Sequence, residues 1–222
     1  MFQGIVDIMT NKLNDVQGKL NNYFTEKLEQ FGATAKGVDY NGETAQQIRF
    51  AELVKIVKNP AEKFSVIDYG CGYGAMFDFL HARNWEFDYY GVDLIEKMVI
   101  AGREAHKDFP NAQFTIDEKD VPTTDYLVAA GIFNIKLDVA YMEWQDLTVK
   151  TLQRMNDLCA KGFSFNMLTQ YSDADRMAQR PDLFYGDPLF YFDLCKRNFS
   201  RNVALLHDYG LYDFTILVRK DL

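Results

Sequence analysis

Five residues in the first half of the chain are typed and spaced to do chemistry together. Asp68, Gly70, Gly72 and Gly74 stand at alternate positions, and Asp93 follows 19 residues after Gly74. Alternate glycines let a chain turn sharply and bring its backbone within contact distance of a ligand, where a Cβ would clash. The N–H groups that open the helix behind them then face that ligand. An acid at Asp93 has the spacing at which a βαβ unit offers a carboxylate to ribose hydroxyls. The set points to a nucleoside-containing cofactor. Charge narrows the choice. A dinucleotide loop reads G-x-G-x-x-G and receives a pyrophosphate, whereas this one reads G-x-G-x-G with Asp68 two residues ahead of it. An anion there suits a cationic ligand.

The elements that must position these residues follow from periodicity. Residues 64–67 predict a buried strand, 89–93 the next, and 113–116, 126–130 and 163–168 three more. Helices fall between them, with Met76, Phe79 and Leu80, then Ile95, Met98 and Val99, as sheet-facing sides. A helix over about 143–160 should stop at Gly162, and another should start at Asp187 with Pro188 in its first turn. Strands at 203–206 and 212–218, joined by a tight turn, predict a hairpin whose second strand runs antiparallel. Before the first strand, a helix over about 43–58 has Asn41 as its expected cap, Asn59 and Pro60 as its stop, and Phe50, Leu53, Val54 and Val57 as its seam. Val6, Met9, Leu13, Val16, Leu20 and Tyr23 form an amphipathic N-terminal helix. We expect it to lie on the domain; the alternative is pairing with a second copy in a homodimer.

Asp68, Gly70, Gly72 and Gly74 followed by Asp93 resemble the glycine motif of the class I S-adenosylmethionine-dependent methyltransferases, over roughly residues 60–219. The resemblance implies an α/β fold: a Rossmann-like seven-stranded sheet, parallel with one antiparallel C-terminal strand, helices on both faces and an N-terminal helical extension. It divides the chain into a helical extension and cofactor lid over 1–59 and a methyltransferase domain over 60–222. It also implies S-adenosyl-L-methionine as cofactor, held by Asp68, Tyr69, Gly70, Cys71, Gly72, Gly74, Asp93 and Leu94. Asp117, with Asp120 as the alternative, would accept from the adenine amino group. Ala130 and Gly131 would let the methionine end pass closely. Tyr40 would touch the cofactor and Arg49 would fork onto its carboxylate, unless Arg49 is an ordinary solvated arginine.

For the acceptor, the long connection 169–186 lies at the ligand end of an open sheet and offers Tyr171, Asp173, Arg176, Arg180 and Tyr185. Arginines there suit a carboxylate or phosphate. Asn134 is either a substrate contact or a turn residue. His207, beside Asp208, is the expected general base if the acceptor must lose a proton, with a turn-stabilising role as the alternative; His81 and His106 read as structural or solvated. The Asn/Asp/Ser-Pro-Pro-aromatic run of base-amine methylating enzymes is absent, its place taken by Ala129, Ala130, Gly131, Ile132 and Phe133.

Composition agrees. A net charge of −8 and a pI near 4.9 argue against nucleic acid as partner. Three widely spaced cysteines suit a reducing compartment and predict no metal site. Without a membrane-length apolar run or a signal-peptide pattern, a cytoplasmic protein that avoids membranes is expected. The reading is a methyltransferase acting on a small molecule, oxygen preferred to nitrogen, such as a sugar or natural-product precursor. Its rivals are a nicotinamide-dependent dehydrogenase, a non-catalytic cofactor-binding partner subunit and a protein methyltransferase.

Overall fold

Buried strands alternating with amphipathic helices leave both faces of a sheet to be covered, and the computed structural model of the chain has that layering. It describes the backbone of residues 2–221 and the side chains of residues 15–221. The sheet runs β3-β2-β1-β4-β5-β8-β7, built from β1 (Phe64–Tyr69), β2 (Phe87–Val92), β3 (Ala112–Thr115), β4 (Thr124–Ala129), β5 (Cys159–Thr169), β7 (Asn202–Leu206) and β8 (Asp213–Arg219). An eighth strand, the two-residue β6 (Tyr185–Gly186), pairs with the end of β5. The expected seven strands are all present and β6 is added to them. β8 lies antiparallel to both β5 and β7, as the hairpin requires.

Helices α2 (Glu43–Leu53), α3 (Ala75–His81) and α4 (Glu96–Ala105) bury Phe50, Leu53, Phe77 and Val99 with Tyr89 and Phe114 in one core. The other core joins Trp144, Leu152 and Met155 of α5 (Tyr141–Leu158) and Tyr191 of α7 (Pro188–Asn198) to Phe163, Phe165 and Phe214. Strand order reverses between β1 and β4, so a crevice opens at their C-terminal ends, where such sheets bind ligands.

Local expectations fail where long-range packing decides. The cap of α2 is Gly42, not Asn41, and makes no side-chain bond. α2 then tightens into a 3₁₀ turn at Val54–Ile56, while the predicted seam Phe50, Leu53, Val54 and Val57 is buried. Gly162 does not stop α5: the helix ends at Leu158 and the chain enters β5 directly. Gly162 lies within that strand, where a Cβ would stand 2.4 Å from the Val218 carbonyl oxygen. The connection 169–186 is not a structureless loop, since it holds α6 (Ala174–Gln179) as well as β6. Asp187 caps α7 as predicted, accepting from Leu189 N–H at 2.9 Å.

The N-terminal helix α1 (Phe2–Phe31) packs against a 3₁₀ turn at Lys36–Val38 and against α4. Of its predicted seam, Val16 is buried and Leu20 and Tyr23 half-buried; Val6, Met9 and Leu13 lie outside the residues whose side chains are described. Lys19 pairs with Asp138 (2.8 Å), Lys27 with Asp39 (2.6 Å) and Lys97 with Glu29 (2.5 Å). The Lys19 and Lys97 pairs are exposed and worth little singly; the half-buried Lys27–Asp39 pair and the apolar seam seat the helix. No described helix is long and apolar enough to cross a membrane.

Candidate cofactor and acceptor site

A cavity of about 670 Å³ opens at the tips of β1 to β4 under α1, within the usual size of small-molecule sites. Its floor is the glycine loop. Gly72, at φ +54°, needs glycine both for that conformation and because a Cβ would meet Val38 at 2.9 Å. Gly74 is different: it does not line the cavity, and a Cβ there would strike His106 at 2.7 Å and Phe114 at 2.8 Å. What surrounds its Cα is packing between α3, His106 and β3, where a place beside the cofactor was expected. Every other residue predicted for the cofactor lines the cavity: Asp68, Tyr69, Gly70, Cys71, Gly72, Asp93, Leu94, Asp117, Ala130, Gly131, Tyr40 and Arg49.

Two carboxylates stand at neighbouring strand tips. Asp93 is tied down by both oxygens, accepting from Gly72 N–H and from Ile95 N–H, each at 2.8 Å. It thereby couples the glycine loop to the start of α4. Asp68 is 2% exposed and accepts from Tyr89 Oη at 2.7 Å. Burial pushes its carboxyl up to about 7, against the Tyr89 hydrogen bond and helped by the Asp93 charge. A buried carboxyl so destabilised as an anion is a ready partner for a cation. Asp117 is exposed at the rim, accepting from Lys119 N–H at 3.0 Å. Asp120 is turned away to Thr115 Oγ1 (3.0 Å) and does not line the cavity, whereas Asp117 does. Exposed Leu94 and Ile116 add apolar surface beside them.

Arg49 is not a solvated arginine, and its fork is taken by the protein instead of standing open to a cofactor carboxylate. It is 7% exposed and forks onto Asp213, Nε to Oδ1 at 3.0 Å and Nη2 to Oδ2 at 2.5 Å. Tyr40 Oη donates to the Ala130 carbonyl at 3.1 Å, next to Gly131, whose missing Cβ would stand 3.2 Å from that hydroxyl.

On the acceptor side, Asn134, Arg176 and Arg180 line the cavity. Asn134 Oδ1 accepts from Leu168 N–H at 3.0 Å, and Arg180 is forked onto Asp182, whereas the Arg176 guanidinium lies 4.7 Å from the Tyr212 ring centroid. Tyr171, Asp173 and Tyr185 are not among the lining residues, and neither is His207. Tyr171 is 61% exposed, and the Tyr185 hydroxyl is buried with no partner among the described residues. His207 is exposed beside Tyr171, its ring centroid 6.0 Å away. It follows β7, the outer edge of the sheet, three strands from β4 and so about 14 Å to the side at normal strand spacing. His81 is exposed, and His106 is buried against Gly102 O (2.8 Å) and Asp78 (3.2 Å). None of the three histidines lines the cavity.

Over 164 residues the chain is 49% identical to the Mycobacterium tuberculosis protein Rv1506c, whose name marks it as a candidate methyltransferase; the match spans 74% of this chain and 98% of that protein. The chain belongs to the class I S-adenosylmethionine-dependent methyltransferases. No protein-family model matches it. Among solved structures, the Burkholderia thailandensis 1,6-didemethyltoxoflavin-N1-methyltransferase superposes at TM-score 0.66 with 16% identity, covering 95% of this chain and 89% of that one. The Synechocystis magnesium protoporphyrin IX methyltransferase superposes at 0.63 with 14% identity, covering 93% and 99%. Both were crystallised with S-adenosylhomocysteine; at such identities the likeness is one of fold.

The residues of this methyltransferase fit the cofactor of its family. Acids at the strand tips, Asp68 among them a carboxyl that gains from a neighbouring cation, suit a sulfonium and an ammonium. Sequence reasoning expected a lid within 1–59 but did not name its lining residues, Val16, Gln17, Leu20 and Phe24 of α1, and it missed the α5 wall with Trp144 and Thr148. The 3.6-residue seam of α1 gave its buried face but not what that face covers.

Proposed function

We propose that the methyltransferase moves a methyl group from S-adenosylmethionine to a small, anionic acceptor. The observation that carries this is the lining of the cavity: acids at the tips of β1, β2 and β3 and, from α6, Arg176, which has no carboxylate partner among the described residues. Asp68, Asp93 and Asp117 hold the cofactor, with Tyr40 and Arg49 at its amino acid end. When bound, S-adenosylmethionine supplies an electrophilic methyl carbon on a sulfonium. The chain's own contribution is to bind, align and exclude water, which can account for most of the acceleration of an in-line displacement. α1 roofs the cavity and supplies the exclusion.

Oxygen is the favoured acceptor atom, now on different grounds. With no histidine at the cavity, an acceptor that arrives ionised, such as a carboxylate, needs no base. The size of the cavity suits a small molecule; a non-catalytic partner subunit would bind cofactor and methylate nothing. The test is release of S-adenosylhomocysteine with sugar phosphates, carboxylic acids, amines and peptides as acceptors. Turnover is expected with an acid or phosphate-bearing compound. With that compound Arg176→Gln should raise KM about tenfold and leave kcat within about threefold, the mark of a contact made equally in ground and transition states. Turnover confined to peptides or uncharged amines would refute the proposal.

A further inference from the structure

The peptide unit joining Ala130 to Gly131, at the tip of β4, is gripped by the protein at both ends. Its carbonyl accepts from Tyr40 Oη at 3.1 Å and its N–H donates to Asn166 Oδ1 at 2.9 Å. Asn166, wholly buried on β5, donates its amide to Asp213 Oδ1 at 2.8 Å. Asp213, buried at the start of β8, takes both arms of Arg49. The guanidinium of Arg49 lies 5.2 Å from the Tyr40 ring centroid, which closes the circuit. Asn166 and Asp213 do not line the cavity, so whatever they contribute passes through groups that do.

We propose that Asn166 and Asp213 are positioning residues for the cofactor, a buried clamp that sets the 130–131 peptide and the Tyr40 segment in one register. Two physical facts lead there. A buried ion pair seldom adds net stability over apolar side chains of the same shape, so geometry is the better reason for its presence. Gly131 sits at φ +74°, where glycine has many alternatives open to it, and the clamp removes them before a ligand arrives. Asn166 suits the task because its amide accepts and donates at once; aspartate there loses the donor and leucine loses both. The circuit also ties the lid, through Tyr40, to the antiparallel strand on the far side of β5. This inference rests on the reading that the cavity holds S-adenosylmethionine.

The experiment is calorimetry with S-adenosylhomocysteine on wild type, Asp213→Asn, Tyr40→Phe and the double variant, with melting temperatures in parallel. Asp213→Asn should weaken binding about tenfold or more and Tyr40→Phe by about threefold to tenfold. Because both act on one peptide, the double variant should bind about as Asp213→Asn does, short of the product of the two losses. A merely structural ion pair would lower the melting temperature and leave the losses independent. A Gly131 amide slow to exchange in ligand-free wild type is expected as well, and that measurement needs no variant. Asp213→Asn binding within about twofold of wild type, multiplying losses, or a fast Gly131 amide that slows only on adding ligand would each overturn the clamp. Wild type that binds no S-adenosylhomocysteine, yet has a protected Gly131 amide, would overturn the cofactor reading alone.

Discussion

Asp93→Ala should weaken S-adenosylhomocysteine binding by about two orders of magnitude. The carboxylate has three tasks at once in this account. One oxygen takes Gly72 N–H and the other Ile95 N–H, and both are the natural partners of ribose hydroxyls. Truncation leaves two sheltered N–H groups unpaired, at about 1–3 kcal/mol each, and removes a charge-assisted hydrogen bond to ligand worth about 1.5–3 kcal/mol. The first cost falls on the free protein too, as a lower melting temperature and a looser glycine loop. The second falls on the complex alone, and about 2.7 kcal/mol is a hundredfold in affinity. The melting temperature of the alanine variant reads the first and isothermal titration the second. An affinity within about threefold of wild type would remove Asp93 from the site.

The second large effect is one of pH. Asp68 holds its proton up to about pH 7 because it is buried beside Asp93. Its folded pKa is raised above the ordinary carboxylate value, so between roughly pH 4 and 7 the unfolded chain has lost a proton that the folded one keeps. Stability of the ligand-free protein therefore falls as pH rises through that window and then levels off. Asp68→Asn, which retains an oxygen for Tyr89 Oη, should abolish the decline and melt higher than wild type at pH 8. Ligand binding shows the opposite slope. A cationic ligand beside Asp68 favours the anion, so below pH 7 binding must release a proton and affinity should climb about tenfold per pH unit, then flatten above it. The asparagine variant should lack that component and bind more weakly at pH 8. Equal slopes in wild type and variant would place the cation elsewhere.

The parts of this site that could be read from the chain are those encoded locally. The glycine spacing, the acids at the ends of β1 and β2, and the alternation of residues 212–218 each fit within one turn or strand. That Thr115 holds Asp120 away from the cavity, while Asp117 lines it, is marked by no local pattern. What sequence could not give was lateral position. His207 does follow a strand whose C-terminal end faces the ligand side, but β7 is the sheet's edge, and order across a sheet is not written along it. Arg49 meets Asp213 across 164 residues, and no local pattern marks either as a partner. Gly74 fits a ligand loop by spacing, yet its neighbours His106 and Phe114 come from α4's end and β3. The lid shows the same limit: a helical seam announces burial and leaves its partner unnamed.

Titrating purified protein with S-adenosylmethionine, and separately with NAD, tests the central claim most directly. One equivalent of S-adenosylmethionine should bind with a dissociation constant in about the micromolar range, and NAD should give no heat of binding. Saturable binding of NAD, or indifference to S-adenosylmethionine at millimolar concentration, would contradict it.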